Sequence, residues 1–333
     1  MKFGKVHVAD AEGAILAHSV ALPKGLLRKG MVLDRDALNT LTRAGISDVT
    51  VARLEPGDVH ENTAADLLAK ALVPDPAAAH LRLAPASTGR VNIFATEHGV
   101  AAIEADKINA VNVVHPMVTV ATVPEWQRMA VRGMVATVKI ISYAAPEDAI
   151  AQACKAGRDA LRMRPVKRKT AALIQTHVGD REDGSKGQRS MGMRFDRLEI
   201  AMGPKIIVPH QVAALSEALA QASTQYDILC ILTGSATSDL YDVAPEALRA
   251  AGGEVIHYGM PVDPGNLLFW GQLGDTPVLG LPGCAKSPAL NGADWVLERM
   301  LCDVPVTPKD VMEMGVGGLL KEPPSRPTPR EKA

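Results

Sequence analysis

The segment from residue 227 to 251 constrains the fold more than any other. An apolar run, Asp227-Ile-Leu-Cys-Ile-Leu232, leads into a loop of small and hydroxyl-bearing residues, and an Ala/Leu-rich stretch at 243–251 follows. A short, continuously apolar run bounded by turn residues reads as a buried strand, and the next stretch has the composition of a helix. A strand that hands such a loop to a helix start leaves backbone N–H groups pointing outward, where they can hold an anion. Two further small-residue turns follow, at 263–266 and 282–288. Their closeness in the chain predicts one shared ligand site.

Composition narrows the class. The 333 residues suffice for two or three domains, and with 47% hydrophobic and 22% charged residues the chain can bury sizeable cores. A formal charge of −1 gives no global attraction to nucleic acid or to an anionic membrane, so any anion must be recognised locally. The four cysteines, Cys154, Cys230, Cys284 and Cys302, form no C-x-x-C pair and have no histidine at ligand spacing, a pattern of reduced thiols rather than of disulfides or zinc. No apolar run approaches the ~20 residues that span a bilayer, and the first residues lack the apolar core of a signal peptide. The expectation is a soluble, cytoplasmic protein.

Along the chain, 1–75 reads as a small mixed α/β domain, with a strand at 29–33, a helix at 35–44 capped by Asp34, a strand at 48–54 and a helix at 61–72. A Pro/Ala stretch at 73–88 separates it from a β-rich subdomain at 89–145, with strands at 91–95, 117–123 and 134–141. A helix and basic linker occupy 146–169. From 170 to 303 the pattern alternates strand and helix: strands at 171–176, 227–232 and 254–259, helices at 194–202, 212–222 and 243–251, a hairpin at 267–273 and 277–281, and a helix at 287–301. This predicts a three-layer αβα domain with a mostly parallel sheet, whose ligands sit beyond the carboxyl ends of the strands. Residues 304–333 read as a short helix and a Pro/Arg/Lys-rich flexible tail, with a further domain expected beyond it.

In the first loop, Thr233, Ser235, Thr237 and Ser238 offer hydroxyls, while Gly234 and Ala236 keep the backbone accessible. Hydrogen bonds to a charged group contribute about 1.5–3 kcal/mol each, so four or five can hold a phosphate without lysine or arginine. Asp239 and Asp242 close the loop. For Asp242 two readings stand side by side: a Mg²⁺ ligand or general base, and a cap for the following helix. Lys286, Lys186 and Arg189 are candidate sources of positive charge, and Thr176 and His177, at a strand end, are candidate ligand contacts. The stretch 179–186 resembles a P-loop, but serine precedes lysine there, which removes the hydroxyl that would bind Mg²⁺.

Taken in order, Thr-Gly-x-x-x-Ser-Asp-x-x-Asp, Ala-x-x-Ala-Gly-Gly-x-Val-x-x-x-Gly-Met, Asp-Pro-Gly-Asn and Gly-Leu-Pro-Gly resembles the molybdopterin-binding domain of molybdenum cofactor biosynthesis proteins, over roughly 170–302. That superfamily includes molybdopterin adenylyltransferases and molybdenumtransferases. The upstream segments look like the additional N-terminal domains of the molybdenumtransferase branch. The wording around 259–266 and 283–288 is similar to a bacterial subfamily often fused to a molybdopterin cytidylyltransferase-like domain. The resemblance implies that Thr233, Gly234, Ser235, Ala236, Thr237 and Ser238 bind the phosphate of molybdopterin. It further implies that Asp263, Pro264, Gly265 and Asn266, with Pro282, Gly283, Cys284, Ala285, Lys286 and Ser287, line the rest of the cleft. Asp242 falls where the superfamily places a functional aspartate, and homo-oligomers are implied.

The chain departs from the superfamily pattern at Ser235, where a second glycine is usual, at Asn266, where a lysine is usual, and at Cys284 and Ala285. The expected function is binding of molybdopterin, or of its molybdenum or nucleotide form, for presentation to a nucleotidyltransferase domain or protein. The alternative is a Mg²⁺-dependent transferase that itself inserts molybdate or transfers a nucleotidyl group.

Overall fold

The computed structural model describes residues 1–179 and 183–320. The chain forms two compact units, one of residues 1–96 with 101–163 and the other of 97–100 with 164–333; the end of the second, like 180–182, lies outside the described residues. Both mix helices with sheets, so the α/β class holds.

The first unit begins with a three-stranded antiparallel sheet in which Asp48–Arg53 lies between Lys2–His7 and Ile15–Leu16. Helix Arg35–Arg43 starts at Asp34, whose side chain accepts from the Ala37 amide. A four-stranded sheet orders Val118–Thr122, Met134–Ile140, Arg90–Ala95 and Leu81–Leu83. It shares a core with helices Glu61–Leu72, Ala105–Val114 and Glu147–Ala156, through fully buried Leu68, Leu72, Val111 and Ala153 among others.

Some expectations for the chain up to residue 165 need correction. The strand expected at 29–33 is instead Leu26–Leu27, with a lone bridge from Val32 to Ile15, because Gly30 adopts φ +87° and breaks the extended run. Within the expected linker, Leu161–Pro165 is a strand: Leu161, Met163 and Pro165 are buried while Arg162 is exposed and Arg164 half-buried, a period of two hidden under the charges.

The second unit carries the candidate site. Its seven-stranded sheet runs Ala201–Met202, Thr170–His177, Ile228–Leu232, Thr276–Leu281, Phe269–Leu273 and Glu254–Tyr258, with Ile206–Pro209 also pairing to Thr170–His177. Ile174, Ile231 and Gly280 are opposed across the three central strands, which are parallel. Strands buried on both faces need unbroken apolar sequence, and every residue of Ile228–Leu232 is buried. Helices Val212–Ser223 and Val243–Ala250 cover one face, placing Leu215, Leu219 and Leu248 against Ile174, Leu229, Ile231 and Phe269. Each such side chain, fully buried, contributes about 1.5–3 kcal/mol relative to exposure.

Two boundaries in this unit differ from expectation. The helix expected at 194–202 is Ser185–Asp196, and Ala201–Met202 is a strand, because Glu199 turns the chain at φ +58°. The helix expected from 287 starts at Gly292, since Gly283–Lys286 forms a separate 3-10 turn and Asn291 supplies the cap. Helix Pro308–Met312 follows, capped by Thr307. The tail beyond 320 and the 180–182 part of the P-loop-like segment lie outside the described residues.

Candidate functional site

The strands Thr170–His177, Ile228–Leu232 and Thr276–Leu281 are mutually parallel neighbours, so the segments that follow them emerge at one edge of the sheet. Glu254–Tyr258 is antiparallel to Phe269–Leu273, which is antiparallel to Thr276–Leu281, so its carboxyl end lies at that edge too. All three small-residue turns and the Thr176–His177 pair therefore share the carboxyl edge.

Direct bonds link them. The Gly234 amide donates to Thr176 Oγ1 at 3.0 Å, and that oxygen is 2.8 Å from His210 Nδ1. The Tyr258 hydroxyl, at the end of the outer strand, donates to the Thr237 carbonyl at 3.0 Å. The second turn meets the helix after the third: the Gly292 amide donates to the Pro264 carbonyl at 2.8 Å. Residues 318–320 bind the second turn from outside, with the Asp263 amide donating to Gly318 O at 2.8 Å and the Leu320 amide to Asp263 O at 2.9 Å.

The three glycines do different work. A Cβ on Gly234 would stand 2.7 Å from the Thr176 carbonyl oxygen, so this glycine serves the packing of the loop on the neighbouring strand. Gly265 combines φ +149° with a 3.1 Å approach to Gly292, again an internal requirement. Gly283 is exposed and has nothing within 4 Å of its missing side chain. It is the glycine of the three at which something from outside can come close to the backbone.

In the first loop Ser235 and Ala236 are exposed and Thr237 is buried. Among the described residues, the amides of these three consecutive positions donate to no protein acceptor. Three consecutive amides with no acceptor among the described residues offer an anion a run of positive partial charge. Thr233 and Thr237, both buried, place their hydroxyl oxygens 3.5 Å apart, so these side chains are turned toward each other.

Asp242 caps helix Val243–Ala250. Its Oδ1 accepts from the Val243 amide at 2.7 Å and its Oδ2 from the Ser238 amide at 3.0 Å. Burial alone would raise its pKa, but those two amides and the nearby His210 more than offset it and hold the carboxyl below the ordinary value. The carboxylate is thus committed to the loop and the helix. This donor set does not fit a resident Mg²⁺: both oxygens are bound to main-chain amides, and among the described residues no three His, Cys, Asp or Glu side chains are grouped to hold a metal.

The remaining expected residues fall as follows. Asn266 is exposed and reaches the Met260 carbonyl at 3.2 Å. Cys284 is half-buried and accepts from Asn291 Nδ2 at 3.0 Å, Pro282 and Ala285 are buried, Lys286 is half-buried and Ser287 exposed. His177 binds the Gly179 carbonyl through Nδ1 at 2.6 Å. Lys186 and Arg189 are exposed on helix Ser185–Asp196. The sequence reading missed His210, although it follows an apolar run, Lys205-Ile-Ile-Val-Pro209, that has the signature of a strand end. It also missed Arg194, buried beneath the third turn. Concavities of about 420 and 410 Å³ lie elsewhere, the first lined by Arg158, Asp159 and Arg162 and the second by Arg168, Trp270 and Asp303, among others.

Comparison with known proteins gives matches of limited reach. Residues 5–53 match a family model described as a domain of unknown function, DUF8806. No curated protein matches. Among solved structures, the chain is similar to the molybdopterin biosynthesis moea protein from Pyrococcus horikosii, at 13% identity and a TM-score of 0.32, covering 91% of this chain and 75% of that one. It is also similar to a molybdenum cofactor biosynthesis protein from Pyrococcus furiosus, at 12% identity and a TM-score of 0.24, covering 90% of this chain and 61% of that one. No helix among the described residues is long and apolar enough to cross a membrane.

Proposed function

We propose that the second unit binds molybdopterin, or its molybdenum or nucleotide form, at the carboxyl edge of its sheet and presents it to a transferase in molybdenum cofactor biosynthesis. The observation that carries this reading is the run of amides at Ser235, Ala236 and Thr237, which find no acceptor among the described residues and lie between a strand end and a helix start. A phosphate supplies the acceptors those amides lack, and the absence of an arginine or lysine from the loop makes the main chain its natural ligand. The order of motifs along 170–302, which resembles the molybdopterin-binding superfamily, gives the phosphate its carrier.

Binding is favoured over catalysis by the state of Asp242. A carboxylate bonded to two amides and held below its ordinary pKa is a weak general base, and it offers a metal a poor donor set. The protein, isolated from cells that make molybdopterin, is to be denatured and oxidised, and the fluorescent pterin released is to be quantified. About one pterin per chain is expected, with no turnover when Mg-ATP, Mg-CTP or molybdate is added. A chain that carries no pterin overturns the reading; turnover that Asp242→Asn abolishes replaces it with a transferase.

A further inference from the structure

Arg194 and Asp294 are 6% and 5% exposed, and Arg194 Nε donates to Asp294 Oδ1 at 2.5 Å. The rest of the guanidinium is divided between Ser190, on its own helix, and one short segment. Nη1 donates to Ser190 Oγ at 2.6 Å and to the Ala285 carbonyl at 3.2 Å, while Nη2 donates to the carbonyls of Ser287 at 2.9 Å and Ala289 at 3.1 Å. Ser190 Oγ in turn donates to the Ala285 carbonyl at 2.8 Å. Asp294 Oδ2 accepts from the Asn291 amide at 2.9 Å, which closes the cap of helix Gly292–Leu301.

We infer that Arg194 is the positioning residue of the third turn, fixing 285–289 in the conformation the ligand meets; this rests on the binding reading above. Net stability does not account for the pair. Taking both charges out of water costs about as much as their attraction returns, so a well-packed apolar pair of the same volume does as well or better. What an apolar pair cannot supply is a rigid fork of donors for three carbonyls on alternate residues. Packing holds the outer part of the segment only weakly, since Ser287 to Leu290 are exposed. A segment so thinly packed opens locally at small cost unless something specific pins it. Through the same side chain, helix Ser185–Asp196 is rigidly joined to the turn.

The test is hydrogen exchange of the full chain, read at 284–291 and at 233–238, alongside melting temperature and pterin retained per chain. Arg194→Lys keeps the charge and loses the fork. It is expected to speed exchange at 284–291 at least tenfold, leave 233–238 within twofold, and lower retained pterin at least fivefold. Ser190→Ala, the milder change, is expected to act in the same direction by about threefold, and decides the matter if Arg194→Lys does not fold. Leu219→Ala, a core truncation on the opposite face, controls for lost stability, because it should raise exchange across the unit without singling out the turn. Exchange at 284–291 that stays within twofold of the parent in the variants, or that rises only in step with the Leu219→Ala control, overturns the inference. A parent protein without pterin overturns the proposed function instead, and the exchange result still decides the role of Arg194.

Discussion

Gly265 and Gly292 are packed backbone against backbone. A side chain begun at Gly265 would lie 3.1 Å from both Cα and N of Gly292, and Gly265 itself holds φ +149°. Gly265→Ala is therefore expected to lose about 1–3 kcal/mol to backbone strain, with crowding against Gly292 in addition. Gly283→Ala, where nothing stands in the way, is expected to stay within about 0.5 kcal/mol of the parent. Urea unfolding of the two variants checks the contrast; equal losses would contradict it.

Thr176 is 3% exposed, and its hydroxyl oxygen is the acceptor for the Gly234 amide. Thr176→Val keeps the shape and removes the acceptor, leaving a loop amide to find another partner or none. A cost of about 1–3 kcal/mol is expected, with faster exchange of the Gly234 amide, and Thr176→Ser should restore most of both.

For Asp242 the linkage has a definite sign. Its folded carboxyl sits below the ordinary 3.8, so its contribution is complete above that value and is lost as pH falls through the lower, folded one. Asp242→Asn should be close to neutral at pH 7, because asparagine also caps, and should flatten the fall in stability below about pH 4. Asp242→Ala should cost about 0.5–2 kcal/mol already at pH 7. Urea midpoints measured from pH 2.5 to 7 distinguish the three proteins.

Burial pushes the thiols of Cys230 and Cys302 up to about 12. At pH 8 such a thiol is about one part in ten thousand thiolate, against about a fifth for a free one. Iodoacetamide should therefore modify both at least about a thousandfold more slowly in the folded protein than in 6 M urea, as peptide mass spectrometry would show. Rapid native labelling of Cys230 would mean that the central sheet opens far more readily than its packing implies.

The central sheet was legible because its strands are buried on both faces and read as unbroken apolar runs, as at Ile228–Leu232. Helices with a clear start signal were legible as well: Asp34 and Asp242 each cap the helix expected after them. Helix Ala105–Val114 was missed, and it has no side-chain cap at Glu104 and only two buried residues. Leu161–Pro165 was hidden because its outward positions are arginines, which made a strand resemble a charged linker. The common edge of the three turns could be expected from strand order, but the tasks of their glycines could not. Whether a missing Cβ makes room for a ligand or for a neighbouring backbone is decided by tertiary approach, as Gly234 and Gly283 show. Arg194 was invisible for a related reason: an arginine in a helix reads as solvated until the partners that bury it, about a hundred positions away, are known.

The bonds from Gly318 and Leu320 to Asp263 make the last described residues a brace for the second turn. Shortening the protein to end before Gly318 would unstitch that turn from its outer side, however far from the strands the cut looks on paper.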